Sequence, residues 1–201
     1  MSEENQKTLE AYEKGAQAYR DDTPKETTGP YEEWFRRAVE GMPAGAKIFE
    51  IGSATGRDAK FFESLGYKVQ RSDAAESFIQ ELRGEGYDAL KFNLITDEVP
   101  MGYDMIFANG VLMHLIREEE EEAFRKIYAA LSENGRFVFS VKTGDDGGAW
   151  SDHKVEGSRY YYMWKEDELR GVLAEVGFAN IDIGTLWGKW LHVIVNKESL
   201  R

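Results

Sequence analysis

From Lys47 onward, short apolar runs alternate with amphipathic stretches of helical period. A chain patterned this way buries both kinds of segment by stacking strand–helix units around a largely parallel sheet. The spacing predicts strands at Lys47–Ile51, Lys68–Ser72, Ala89–Phe92, Tyr103–Ala108 and Arg136–Val141. Helices are expected at Arg57–Leu65, Ala75–Glu85, Glu118–Leu131 and Lys165–Val176. Two further apolar runs, Ile181–Leu186 and Trp190–Val195, are joined only by Trp187, Gly188 and Lys189. A parallel crossover takes a dozen or more residues, so these last strands must pair antiparallel. The expected class is α/β, with a mostly parallel sheet of seven strands closed by an antiparallel C-terminal hairpin.

Ahead of this alternation, Leu9, Tyr12, Ala16 and Tyr19 fall at helical spacing and give one aromatic-bearing face. Asp21–Pro30 collects the residues of a loop, and Tyr31–Glu40 reads as a second helix closed by Gly41 and Pro43. At 201 residues the chain has room for one domain, read as a helical cap over 1–45 and a core over 46–201. Lys142–Trp164 reads as a long loop, which in a compact domain signals function. It is expected to form one wall of a substrate pocket.

Charge narrows the partners. A net charge of −12 with Lys and Arg scattered lacks the basic footprint of a nucleic-acid binder. The chain has no cysteine, which excludes disulfides, thiolate metal sites and cysteine nucleophiles. No residue cluster calls for a metal, and Glu118–Glu122 reads as a solvated acidic start of a helix. Met1–Arg20 is polar, no run approaches membrane-spanning length, and a cytoplasmic location is expected.

The chemistry-bearing junction is Ile48-Phe49-Glu50-Ile51-Gly52-Ser53-Ala54-Thr55-Gly56-Arg57-Asp58, a strand running through small residues into a helix. Gly52 and Gly56 permit a tight turn and close approach of a ligand to backbone amides. The nicotinamide spacing Gly-x-Gly-x-x-Gly does not fit. Asp73, ending the second strand, suits vicinal ribose hydroxyls, with a helix N-cap as the competing role. Asn93 offers an amide for a base or forms a turn. Asn109 and Gly110 stand at the carboxyl end of the fourth strand, where open α/β sheets bind ligands. Asp104 reads as a tether at that strand's entry.

This junction resembles the first motif of class I S-adenosylmethionine-dependent methyltransferases, Asp/Glu-x-Gly-x-Gly-x-Gly. Glu50, Gly52 and Gly56 are in register, and Ala54 stands at the middle glycine. Gly56-Arg57-Asp58, Arg159-Tyr160 and Trp190-Leu191 are similar to a subgroup that carries Gly-Arg-Asp after the motif. The resemblance implies a Rossmann-like three-layer sandwich and S-adenosyl-L-methionine as cofactor. It implies cofactor contacts from Tyr19 (with Arg20 beside it), Glu50, Gly52, Ser53, Gly56, Asp73, Ala74, Asn93, Leu94, Asn109 and Gly110. The Tyr12–Tyr19 segment is similar to the helix such enzymes lay over the cofactor.

The implied reaction is in-line methyl transfer to a small-molecule acceptor, which alignment and desolvation can drive without a dedicated base. Should the acceptor have to lose a proton, His114 and His153 are the candidate bases, His114 also reading as a packed or capping histidine. Arg159, with His153 and Tyr160, is the candidate substrate group, because a guanidinium suits an anion; a local ion pair is its other reading. The rival functions are a non-catalytic cofactor-binding regulator and a nucleotide-linked oxidoreductase.

Overall fold

The computed structural model describes residues 1–145, 147–152 and 157–198. Its strands are β1 (Lys47–Ile51), β2 (Lys68–Asp73), β3 (Ala89–Lys91), β4 (Met105–Asn109), β5 (Arg136–Thr143), β6 (Gly148–Ser151), β7 (Arg159–Trp164), β8 (Phe178–Leu186) and β9 (Trp190–Lys197). Its helices are α1 (Glu3–Asp22), α2 (Pro30–Val39), α3 (Arg57–Ser64), α4 (Glu76–Gly84), α5 (Arg117–Ala130) and α6 (Glu166–Val176), with a 3-10 turn at Leu112–His114.

Strands pair in the order β3-β2-β1-β4-β5, all parallel. Strand β9 then runs antiparallel to β5, and β8 antiparallel to β9, as their short connection requires. Side chains alternate between the two faces of each strand. One face sends Phe49, Ile106, Phe137 and Phe139 against Phe124 and Ile127 of α5 and Leu169 and Leu173 of α6. The other sends Ile48, Met105, Phe107 and Val138 against Trp34 and Phe35 of α2 and Phe62 of α3. Burial on both faces explains why β1 and β4 are nearly continuous apolar runs. The result is the expected three-layer arrangement, and Asp104 does tether its strand, its Oδ2 accepting from Lys47 N at 2.8 Å.

Two strands join the seven expected ones, because Lys142–Trp164 contains the antiparallel hairpin β6–β7 in place of a plain loop. Strand β4 leaves β5 at the Asn109–Ser140 pair, and β7 takes the following positions, pairing parallel through Lys142–Met163 and Thr143–Trp164. Backbone groups that β4 would leave open are thereby satisfied.

The acidic start of α5 is also not wholly a solvated face. Glu120 is fully buried, and Trp164 Nε1 donates to its Oε2 at 2.8 Å. Burial raises the Glu120 carboxyl well above its ordinary range.

Helix α1 lies over the carboxyl ends of the strands and is fastened at several points. Thr8 Oγ1 accepts from Tyr160 N of β7 at 2.9 Å. Glu13 accepts from the backbone amides of Glu76 and Ser77 at 2.5 and 3.0 Å, capping α4, whose own N-cap residue Ala75 has no side-chain acceptor. Arg20 pairs with Glu81 of α4 and with Glu85, which follows that helix, instead of facing a cavity. No helix among the described residues is long and apolar enough to cross a membrane.

Candidate functional site

The bend after β1 holds three residues in the left-handed region, Gly52 (φ 73°), Ala54 (φ 45°) and Gly56 (φ 71°). A Cβ at Gly52 would overlap Val111 Cγ2 and lie 3.3 Å from Cγ1. At Gly56 it would lie 2.9 Å from Leu82 Cδ2. Packing of the protein itself therefore demands glycine at 52, while at 56 the left-handed backbone favours it. Ala54 tolerates its strained position because its N–H donates to Asp73 Oδ2 at 2.9 Å, while Asp73 Oδ1 accepts from Ala75 N at 2.8 Å. Asp73 thus ties the bend after β1 to the turn that leads into α4, whose first amides are capped by Glu13. Burial lifts its carboxyl to about 6, against the lowering effect of those two amide bonds.

A cavity of about 100 Å³ lies between this bend and Asp73. Gly52, Ala54, Asp73 and Ala74 form its polar side; Phe78, Phe92, Leu94 and Leu115 form an apolar end; Tyr12 and Tyr19 of α1 cover it. Of the expected cofactor residues, Tyr19, Gly52, Asp73, Ala74, Asn93, Leu94, Asn109 and Gly110 line the cavity, as does His114. Glu50, Ser53 and Gly56 are absent from its wall. Ser53 instead links β1 to β2, its N donating to Ser72 O at 2.8 Å and its Oγ accepting from Ser72 N at 3.1 Å. Glu50 is buried behind the bend, and burial, helped by the nearby negative Asp58, raises its carboxyl to about 8. It is neutral at pH 7.

Asn93 lines the cavity, yet its Oδ1 accepts from Ile95 N at 2.9 Å, so the amide oxygen holds its own turn. Asn109 is equally engaged. Its Nδ2 donates to Asp58 Oδ2 at 2.8 Å and its Oδ1 accepts from Ser140 Oγ at 2.7 Å. Asp58 also accepts from Arg57 Nε at 2.6 Å and Thr27 Oγ1 at 3.4 Å. Gly56-Arg57-Asp58 therefore ties the start of α3 to the end of β4 and to the loop after α1.

His114 is buried and held at both ring nitrogens. A carbonyl can only accept, so the 2.7 Å contact with Tyr160 O puts the proton on Nδ1, and Nε2 accepts from Tyr12 Oη at 2.9 Å. Arg159 Nη1 in turn donates to Tyr12 Oη at 3.0 Å. Burial lowers the imidazole to about 4, leaving it neutral at pH 7. As placed, His114 links α1 to β7 and lines the narrow cavity, with its Nε2 already taken by the Tyr12 hydroxyl.

A second cavity, of about 850 Å³, opens beside the first and shares Tyr12, Tyr19, Asn109 and Gly110 with it. Its far wall is built from Lys142 at the end of β5, Arg159, Tyr161 and Met163 of β7, and Trp187 and Trp190 of the terminal hairpin. The long segment after β5 thus walls the pocket as expected, with one exchange of residue. Tyr160 is not in the cavity wall, its ring packing 5.7 Å from that of its cross-strand neighbour Trp150. The strand period of two puts Tyr161 in the cavity instead. His153 lies outside the described residues. Tyr161 and Lys142 went unnoticed in the sequence, although Lys142 directly follows the strand expected at Arg136–Val141, at the carboxyl edge where ligands sit. Among the described residues no group of three or more His, Asp or Glu is placed to hold a metal.

Residues 49–137 match the family model described as a methyltransferase domain. The chain is 23% identical to the phosphoethanolamine N-methyltransferase of Plasmodium falciparum over 74% of its own length, and spans 60% of that protein. It is 25% identical to the carboxy-S-adenosyl-L-methionine synthase of Campylobacter concisus, covering 78% of this chain and 79% of that one. In structure it is similar to the 1,6-didemethyltoxoflavin-N1-methyltransferase of Burkholderia thailandensis, solved with 1,6-didemethyltoxoflavin and S-adenosylhomocysteine. The TM-score is 0.67 at 20% identity, over 83% of this chain and 77% of the other. That likeness shows the fold.

Proposed function

Taking as premise that residues 49–137 are a methyltransferase domain on the class I, Rossmann-like fold, we propose that the chain transfers the methyl group of S-adenosylmethionine to a small-molecule acceptor. The observation that carries the reading is the junction of the two cavities. A narrow one, bounded by the bend and Asp73, meets a wide one at Asn109, Gly110, Tyr12 and Tyr19.

The walls of the narrow cavity suit a nucleoside carrying an amino-acid tail. Asp73, ionised above about 6, accepts from ribose hydroxyls with the lone pairs its two amide bonds leave. Phe78, Phe92, Leu94 and Leu115 enclose a flat base, and the small-residue bend leaves room for the tail. When bound, the cofactor supplies an electrophilic methyl on a sulfonium, so transfer forms the acceptor–carbon bond and breaks the carbon–sulfur bond, the electron pair staying on sulfur. The chain's own part is to align and to exclude water. Asn109, fixed by Asp58 and Ser140, and Gly110 form the rim across which the acceptor faces the methyl group. Tyr12 and Tyr19 close the junction from above. An acceptor that must shed a proton meets Tyr12 first, since the His114 nitrogen that can receive one already accepts from the Tyr12 hydroxyl. A cytoplasmic location is part of the same reading and is checked by cell fractionation.

Calorimetry with S-adenosylhomocysteine, S-adenosylmethionine and NAD tests the proposal. We expect binding of the first two, weakening as pH falls through about 6 and Asp73 protonates. Binding of NAD alone would refute it. Turnover of radiolabelled S-adenosylmethionine with a metabolite panel separates an enzyme from a non-catalytic binder.

A further inference from the structure

Among the described residues, the charged groups that line the wide cavity are mostly positive, opposite in sign to the chain as a whole. The chain bears −12 overall, yet the described residues lining this cavity include Arg57, Lys142 and Arg159, and Glu26 is their only carboxylate. Glu26 is exposed at the rim. Arg57 is offset by its pairing with Asp58. Lys142 has no such partner among the described residues. Its Nζ sits 5.0 Å from the ring centre of Tyr161 and 4.8 Å from that of Trp190. Desolvation, Lys189 and Arg159 all act to lower its affinity for a proton.

Drawing an ammonium out of water beside another cation costs free energy that two ring faces return only in part. The cost is recovered when an anion enters. A cationic acceptor is disfavoured on two counts, since it would meet these charges and would find the faces of Tyr161 and Trp190 already occupied by Lys142. We propose, resting on the methyl-transfer reading above, that the acceptor is a small aromatic anion. Its carboxylate or phosphate group is held by Lys142, within the field of Arg159, and its ring lies among the aromatic walls.

The test is calorimetry on the full chain loaded with S-adenosylhomocysteine, using benzoate, phenyl phosphate, benzamide and benzylamine as probes. Benzoate or phenyl phosphate should bind at least about tenfold tighter than the neutral or cationic probe, a difference of about 1.4 kcal/mol. The stronger of the two identifies the anion. In Lys142→Met that preference should vanish, in Lys142→Arg it should persist, and S-adenosylhomocysteine should bind all three proteins alike. Equal binding of benzamide or benzylamine, no binding of any probe at millimolar concentration, or an unchanged preference in Lys142→Met would overturn the proposal. Failure of S-adenosylhomocysteine to bind would instead remove the methyl-transfer reading, and the anion preference is then measured on the unloaded chain.

Discussion

Replacing Gly52 by alanine separates what the bend does for the fold from what it does for a ligand. At φ 73° an L-residue gives up about 1–2 kcal/mol, as left-handed backbone does generally. The new Cβ would overlap Val111, a β-branched side chain that cannot swing away freely, and overpacking of this kind costs about 1–3 kcal/mol. Against this, alanine restricts the unfolded chain and returns about 0.4–1 kcal/mol. The ligand-free protein should lose about 1–4.5 kcal/mol, read as a lower urea midpoint at constant slope. Val111→Ala removes the obstructing methyls, so the double variant should be about 1–3 kcal/mol better than additive, leaving the backbone cost alone. The coupling is decisive. Were the glycine kept only for a ligand's approach, Gly52→Ala would cost the backbone term alone, and a cycle without coupling to Val111 would refute the packing argument.

Three further outcomes follow from buried groups. His114 has its imidazole lowered to about 4, so the unfolded chain binds the extra proton first; stability is complete above about 6.5 and falls as pH drops toward 4. His114→Gln should lessen that acid-side loss by an amount on the order of 3 kcal/mol, measured by urea unfolding at a series of pH values. Glu120 is raised instead, so its contribution is full below about 4.5 and declines as pH rises. Glu120→Gln, which keeps an acceptor for Trp164, should abolish the decline, while Glu120→Ala should cost about 1–3 kcal/mol for the orphaned indole N–H. Asp73→Asn can accept from only one of the Ala54 and Ala75 amides through its single oxygen; it should lower stability by about 1–3 kcal/mol and S-adenosylhomocysteine affinity by about 10- to 100-fold, read by calorimetry.

The sheet was legible because its strands are buried on both faces and its helices on one, so period and run length alone separate them. The β6–β7 hairpin was not. Gly148–Ser151 is short and half exposed, and the glycines and charges around it resemble loop material. Arg159–Trp164 holds three consecutive tyrosines, which blur the two-residue alternation that distinguishes Tyr161 from Tyr160. At the site, the sequence identifies the glycines, Asp73 and Asn109, since a strand-to-helix turn and a strand end are local features. It does not reveal what their side chains already hold. Asn93 completes a turn, Asn109 bridges Asp58 and Ser140, and His114 joins Tyr12 to Tyr160 across segments far apart in the chain. Those pairings are decided by tertiary placement.

Strand β5 is shared end to end, first with β4 and then with β7. The described residues that line the narrow recess all lie at or before Leu115, whereas β7 arrives later and pairs with the stretch of β5 that β4 has left. Its inward residues can be exchanged for others of equal bulk without disturbing a single β1–β4 hydrogen bond. Variation at Tyr161 and Met163, which line the wide cavity alone, is thus physically detachable from the narrow recess, whereas Arg159, bonded to Tyr12, is not; exchanging those two residues should alter acceptor preference and leave S-adenosylhomocysteine binding unchanged.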